Sequence, residues 1–178
     1  MPDMTVAAVD TAHLRRALGM FATGVTIVAT RAASGEPVGL TVNSFSSVSL
    51  APPLVLWSLA HKAASYETFA ACATFSVSVL AVDQWQLAER FARSGGDKFA
   101  GVAVRDGSAG MPLIEGAAAH FVCRVAARHP GGDHDILIGE VLACDHGDRR
   151  PLIYTRGQFN ELGAPIDRSD AVLSATGS

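Results

Sequence analysis

Thr41, Asn43, Ser44, Ser46, Ser47 and Ser49 crowd one stretch of this 178-residue chain, and Lys62 and Ser65 follow in the same run, GLTVNSFSSVSLAPPLVLWSLAHKAAS over 39–65. A turn needs Gly, Pro, Asn or Asp; it has little use for so many hydroxyls followed by a single cation. Hydroxyls, backbone N–H groups and one ammonium are what a protein uses to hold a phosphate monoester. Lys62 and Ser65 stand near the start of a short helix, whose unpaired N–H groups favour an anion. Asn43 adds an amide that both donates and accepts, suited to the polar edge of a heteroaromatic ring. Plainer readings stay open: Lys62 as a solvated surface charge, Ser65 as an ordinary cap, and 41–49 as an edge strand whose alternation turns Val42, Phe45 and Val48 the other way.

His134 is the titratable residue in the most suggestive setting, PGGDHDILIGE, after a glycine-rich turn and before an apolar strand. Asp133 and Asp135 favour its protonated form if they are also neighbours in space. The alternative is a turn histidine exposed by chance. His13, His61, His120, His129 and His146 show no metal-ligand spacing. His61 either lines a phosphate pocket beside Lys62 or, the commoner case, sits on the surface. Cys72, Cys123 and Cys144 are odd in number and scattered, so they form neither a disulfide framework nor a metal set. They read as buried small hydrophobes in a reducing compartment.

Composition narrows the class. Apolar residues are 49% of the chain and charged residues 17%, against roughly 25% charged in ordinary soluble domains. So little charge favours an oligomer whose interface extends the core. Fourteen basic and 17 acidic residues give a net charge of -3, with no basic stripe, so nucleic acid is excluded as the main partner. Neither a signal segment nor a membrane-length apolar run is visible, and the cytoplasm is the expected location.

The elements that must position these residues are mostly strands. Thr11 is expected to cap a helix over about 12–23, with Leu14, Ala17, Leu18, Phe21 and Ala22 on one stripe. Strands are expected over 25–30, 38–42 and 54–59, the last launched by Pro52 and Pro53. Ser65 caps a helix over 66–71, and FSVSVL over 75–80 alternates as a strand with one wet face. A helix runs from about Asp83 to Gly95 and Gly96. A loop over 96–111 surrounds a short piece at 102–104. Long strands cover 117–127 and 136–144, joined by the turn RHPGGDHD, and short pieces at 152–154 and 158–159 close the pattern. Residues 1–10 form a loose arm, 11–163 one domain, and 164–178 a disordered tail. Helices do not alternate with strands as a doubly wound fold requires. The expected class is mainly β: an antiparallel barrel with peripheral helices. No GxGxxG, Walker loop, HExxH or GxSxG is present, so any nucleotide is held by a non-Rossmann surface.

Taken together, FATGVTIVAT, TVNSFSSVSLAPPLV, the 60–65 segment, LAERFARSGGDKF, GDHDILIGEV and PLIYTRG resemble the flavin reductases that form the small component of two-component flavin-dependent monooxygenases. The likeness runs from about Leu18 to Leu162. It implies a split-barrel fold of the FMN-binding type, a homodimer, and FMN or FAD bound near the subunit boundary. It implies hydride transfer from NADH or NADPH and release of reduced flavin to a partner oxygenase. By the same resemblance the flavin contacts are Thr41, Asn43, Ser44, Ser46, Ser47, Ser58, Leu59, Ala60, Lys62 and Ser65, and His134 places the nicotinamide. Asp97, Lys98 and Phe99 match a segment that closes over the flavin, with Phe99 either stacking on it or plugging the core. Tyr154 and Arg156 reach the groove from the last strand pair, although Gly157, Gln158, Phe159 and Asn160 depart from many relatives there. Two rivals remain: a flavoprotein that retains FMN and reduces another acceptor, and a non-enzymatic split-barrel module binding flavin or haem.

Overall fold

The computed structural model describes residues 9–166. Of the arm expected over 1–10 and the tail over 164–178, residues 1–8 and 167–178 lie outside the described residues. In chain order the first half contains α1 (Thr11–Leu18), β1 (Thr23–Gly24), β2 (Thr26–Arg31), β3 (Pro37–Val42), β4 (Ser46–Leu50), β5 (Pro53–Ala60) and α2 (Tyr66–Ala71). The second half contains β6 (Thr74–Val79), α3 (Trp85–Ala92), β7 (Val104–Asp106), β8 (Pro112–Ile114), β9 (Ala119–Pro130), β10 (His134–His146), β11 (Leu152–Thr155) and β12 (Gln158–Glu161). Seven of the strands form one sheet in the order β3-β2-β6-β9-β10-β5-β4. Every named pairing in it is antiparallel. This is the split-barrel arrangement expected for the chain, with short helices at its periphery.

Alternation on β5 and β10 builds the interior. Trp57, Leu59 and Leu137 are buried with Val28, Phe69, Phe75 and Val77. The Trp57 ring meets Phe69 and Phe75 edge-on at 5.3 and 5.8 Å, a geometry aromatic quadrupoles favour. A second cluster lies on the opposite face of β2, where Val25, Ile27, Leu80, Ala88, Phe91, Ile114 and Leu152 meet. The small sheet β1-β11-β12 and helix α3 supply that cover.

Several elements differ from the sequence reading. Helix α1 ends at Leu18, and Asp10, rather than Thr11, caps it by accepting from the N–H groups of Ala12 and His13. Phe21 and Ala22 fall past its end, and the helix buries no residue; Leu14 and Leu18 face outward and Phe21 is 77% exposed. Strand β6 has no wet face, because the β7–β8 ribbon covers it. There Ser76 donates to the Pro112 carbonyl and the Ile114 N–H donates to Ser78 Oγ. β8 was not legible as a strand: three residues, the first of them Pro112, give no period. Arg105 and His120 share the Asp145 carboxylate at 2.6 and 2.7 Å, tying β7 to the β9–β10 hairpin. That hairpin is longer than its apolar run, since polar residues at its tip still pair. Cys123 is buried, and burial, with Cys144 nearby, pushes its thiol up to about 12. Cys144 is exposed, contrary to expectation, because it lies on the open face of β10.

Gly139 sits at a register shift of the β9–β10 pair. A Cβ there would lie 2.5 Å from Phe75 Cζ and 3.0 Å from Cys123 Cβ. Phe75 is fully enclosed and cannot swing away. Gly139→Ala is therefore expected to cost about 1–3 kcal/mol by overpacking, read as a lower denaturant midpoint at unchanged m-value.

Candidate functional site

Strands β5 and β10 pair with His134 opposite Ala60, Asp135 opposite Leu59, Ile136 opposite Ser58 and Leu137 opposite Trp57. Since Trp57, Leu59 and Leu137 point into the core, period-two alternation turns Ser58, Ala60, Ile136 and His134 together to the outer face. Of the expected contacts Leu59 thus points inward. The sequence placed His134 in a turn, but it opens β10. The actual turn is shorter, with Gly132 at φ +79 and the Gly131 N–H donating to His134 O at 2.8 Å.

Asp133 Oδ1 lies 2.6 Å from His134 Nδ1. A carboxylate there accepts from Nδ1–H, which leaves Nε2 for a ligand. The His134 hydrogen bond and then its charge hold the Asp133 carboxyl below the usual range, with a contribution from Lys62. His134 is the contact partner of that carboxylate, and Lys62 acts on it only as the smallest, through-space contribution. Asp135 faces the other way and does not serve His134. It accepts from Tyr66 O–H at 2.7 Å and lies 3.0 Å from His61 Nε2. Those two hydrogen bonds, Tyr66 first, hold its carboxyl low. The His61 N–H also donates to Asp133 O at 3.0 Å, so His61 is a structural member of this turn.

Next to the turn lies a cleft of about 670 Å³, lined by Glu36 and Gly39, by Ser65 and Thr68, and by residues 95–100. Ser65 occupies the N-cap position of α2, yet its side chain makes no capping hydrogen bond. The ordinary-cap reading fails there. Lys98 is half-buried and donates to Phe91 O at 3.0 Å and Gly39 O at 3.4 Å, and desolvation lowers its pKa. Phe99 meets Phe91 edge-on at 4.9 Å. A Cβ on Gly39 would fall 2.9 Å from the Phe91 ring and 3.1 Å from Phe99. Phe99 is thus a plug of the second core that also borders the cleft.

The remaining expected residues divide. Thr41 and Asn43 line a second cleft, about 520 Å³, with Arg93, Tyr154, Gly157 and Phe159. The Thr41 hydroxyl is committed to Ala88 O at 2.6 Å, pinning β3 to α3. Tyr154 packs on Phe159. Ser44 Oγ accepts from the Ser58 N–H at 2.9 Å and braces the outer shelf. Ser46, Ser47 and Lys62 are exposed. Arg156 lies in the β11–β12 turn at φ +52, outside the lining of both clefts. Sequence reasoning missed Glu36 and Thr68; only the spacing of Thr68, three residues after Ser65 on one helical face, was there to be read.

The shelf of small residues beside His134, the cation at Lys62, and the hydroxyl-lined cleft fit a flavin with its ribityl phosphate. Comparison with known proteins agrees. Residues 18–163 match the flavin reductase like domain. The chain belongs to that family. It is 46% identical over 148 residues to the FMN reductase (NADH) SmoA of Agrobacterium fabrum, covering 83% of this chain and 84% of that protein. It is 38% identical to HsaB of Rhodococcus jostii, the reductase subunit of a flavin-dependent monooxygenase, over 87% of this chain and 80% of that one. The solved structure of the NADH:FAD oxidoreductase SgcE6 of Streptomyces globisporus, in complex with NAD and FAD fragments, superposes with a TM-score of 0.84 at 39% identity, covering 90% of this chain and 100% of that one. The chain is an NAD(P)H-dependent flavin reductase that uses FMN or FAD. Family members act as reductase components that deliver reduced flavin to partner monooxygenases.

The Asp135 hydrogen bond, followed by burial, raises the Tyr66 phenol above its ordinary value. A raised folded pKa means that its stabilising contribution is complete below about pH 10 and is lost as pH climbs through the higher value. The difference between the ultraviolet phenolate titrations of the parent and Tyr66→Phe should place Tyr66 above its ordinary range. Asp135→Asn should return it downward.

Proposed function

We propose that the outer shelf of β5 and β10, with the adjoining cleft, is one site where free FMN or FAD is reduced by NADH or NADPH and then released to a partner oxygenase. The observation that carries this reading is the cross-strand pairing of His134 with Ala60, which sets a histidine whose Nε2 has no partner among the described residues beside the proposed phosphate-binding turn. Lys62 and Ser65 hold the flavin phosphate, with Thr68 behind them. Ser46, Ser47 and the Ser44–Ser58 brace border the ring, and Ala60 gives it a flat floor. Asn43 and Tyr154 reach it from the second cleft, and Thr41 acts by fixing β3. Phe99 closes the cleft by packing on Phe91, and Arg156 contributes from the rim. The bound cofactors supply the chemistry, a hydride passing from nicotinamide C4 to flavin N5. His134 orients the nicotinamide, and the protein's contribution is to hold the two rings in register.

The reading extends to a homodimer built from one domain over 11–163. Leu14, Leu18, Met20 and Phe21 lie outward around α1, and Val48 and the 94% exposed Leu50 lie on the edge strand β4. Apolar surface so arranged is what a second copy covers. No helix among the described residues is long and apolar enough to cross a membrane, and the reductase is assigned to the cytoplasm, away from nucleic acid.

Lys62→Ala should weaken FMN binding about tenfold while turnover at saturating flavin stays within about twofold, since the phosphate contact is remote from the reacting atoms. His134→Ala should instead lower kcat/KM for NADH by about tenfold or more, with flavin affinity kept. Fluorescence titration and steady-state NADH and NADPH oxidation with FMN, FAD and riboflavin measure both. Equal FMN affinity in parent and Lys62→Ala would sink the phosphate assignment. Flavin that stays bound through dialysis and turnover would favour a prosthetic role.

A further inference from the structure

We infer that Asp135 is a positioning residue that fixes the phosphate-binding turn relative to His134; the inference rests on the flavin-site reading above. The turn that carries Lys62 and Ser65 is exposed for much of its length and precedes a helix of only six residues. Its backbone bonds are His61 N–H to Asp133 O and Ala63 N–H to Ala60 O, each 3.0 Å, and Tyr66 N–H to Ala63 O at 2.9 Å; only the first, at the near end, ties the turn to the segment before β10. The Asp135 carboxylate supplies what the backbone does not. One oxygen takes the Tyr66 O–H, at the far end of the turn, and the other meets His61 Nε2, at its near end. The two rings stand edge to face, with centroids 5.4 Å apart. The carboxylate is a clamp across the whole turn, 22% exposed at its side chain.

Asp135 is also the residue next to His134, and successive strand residues point to opposite faces. One short piece of β10 therefore grips the turn on one face and presents the histidine on the other. Any shift of the clamp moves Lys62 relative to His134. A site of this kind tolerates about 0.5 Å of looseness, so the geometry assigns Asp135 a role in ligand placement although it touches neither ligand.

The test is a double-mutant cycle on the full-length protein, read by FMN fluorescence titration, steady-state kinetics and thermal melting. Asp135→Asn keeps the shape and loses the charge; Tyr66→Phe removes a single hydroxyl, so a folded clamp variant is available whichever tolerates the change better. Each is expected to raise the FMN Kd about tenfold with kcat at saturating flavin nearly kept. In the Lys62→Ala background, Asp135→Asn should add less than about twofold, because the cation it positions is gone. Arg124→Ala, which breaks the exposed Arg124–Glu140 pair along the same hairpin, should leave Kd unchanged. Full additivity in the cycle, parent affinity in both clamp variants, or the same rise in Arg124→Ala would overturn the positioning role while leaving the Lys62 assignment standing. An unchanged Kd in Lys62→Ala alone would instead overturn the flavin-site reading itself, and the inference with it.

Discussion

Seven consecutive cross-strand pairs, from His134 and Ala60 to Glu140 and Leu54, lock β10 to β5, and the rest of the site depends on that register. The side-chain period of a strand is two, so a one-residue slip of β5 against β10 would turn Trp57 and Leu59 outward and bring Ser58 and Ala60 into the core, on the face away from His134. Such a slip is forbidden by the packing of Trp57 between Phe69 and Phe75. The core thereby fixes the chemistry: aromatic packing inside selects which polar residues meet the ligand outside. The turn after β5 and the turn before β10 then emerge at the same end of the sheet, which is why the His61 N–H reaches Asp133 O while the Asp133 side chain meets His134.

A seven-stranded sheet needs cover on its outer side wherever it is not serving a ligand. β2 and β6 are buried on both faces, by the Trp57 cluster on one and by α3, β8 and the small sheet on the other. This leaves α3 and the segment after it as a lid over β3, and Gly39 is the position that lets Phe91 and Phe99 approach the strand. Lys98 ends beneath that contact with its ammonium on two backbone carbonyls. A desolvated lysine bonded to carbonyls pins this segment to β3 and α3 and is not offered to a phosphate, which is why the phosphate role is proposed for the exposed Lys62 instead.

Much of this was legible in the sequence because the strands that matter carry strong alternation. β2, β3 and β5 and both terminal pieces fell within a residue or two of their expected bounds, and so did α2. The hydroxyl-rich segment was readable by composition, but what each hydroxyl does was not. Thr41 and Ser44 turned to Ala88 and Ser58, partners distant in the chain that no local pattern announces. FSVSVL alternates as a half-wet strand should, yet Ser76 and Ser78 are buried, since a buried hydroxyl with a backbone acceptor or donor is as acceptable as a wet one. α1 reads as amphipathic and is capped one residue early by Asp10, but its apolar stripe is not buried by any of the described residues. The pairing of Asp135 with Tyr66 and His61 joins residues about seventy positions apart, and only the β5–β10 register brings them together.

On the proposed reading, in which Lys62 holds the phosphate, its location bears on how the protein handles its flavin. A single solvated cation on a turn holds an anion only modestly, the tenfold assigned to Lys62 being about 1.4 kcal/mol. A buried arginine gripping the phosphate in two places would hold flavin far more tightly. Tight binding would suit a prosthetic group and would hinder a reductase whose reduced product must leave for another enzyme. The orientation of the site is instead set by rigid parts, namely the shelf of β5 and β10 and the carboxylate clamp at Asp135. Geometry supplied by the scaffold can align two rings without adding affinity for the one that has to depart. The division between a firm frame and a weak phosphate hold is the arrangement that release of reduced flavin demands.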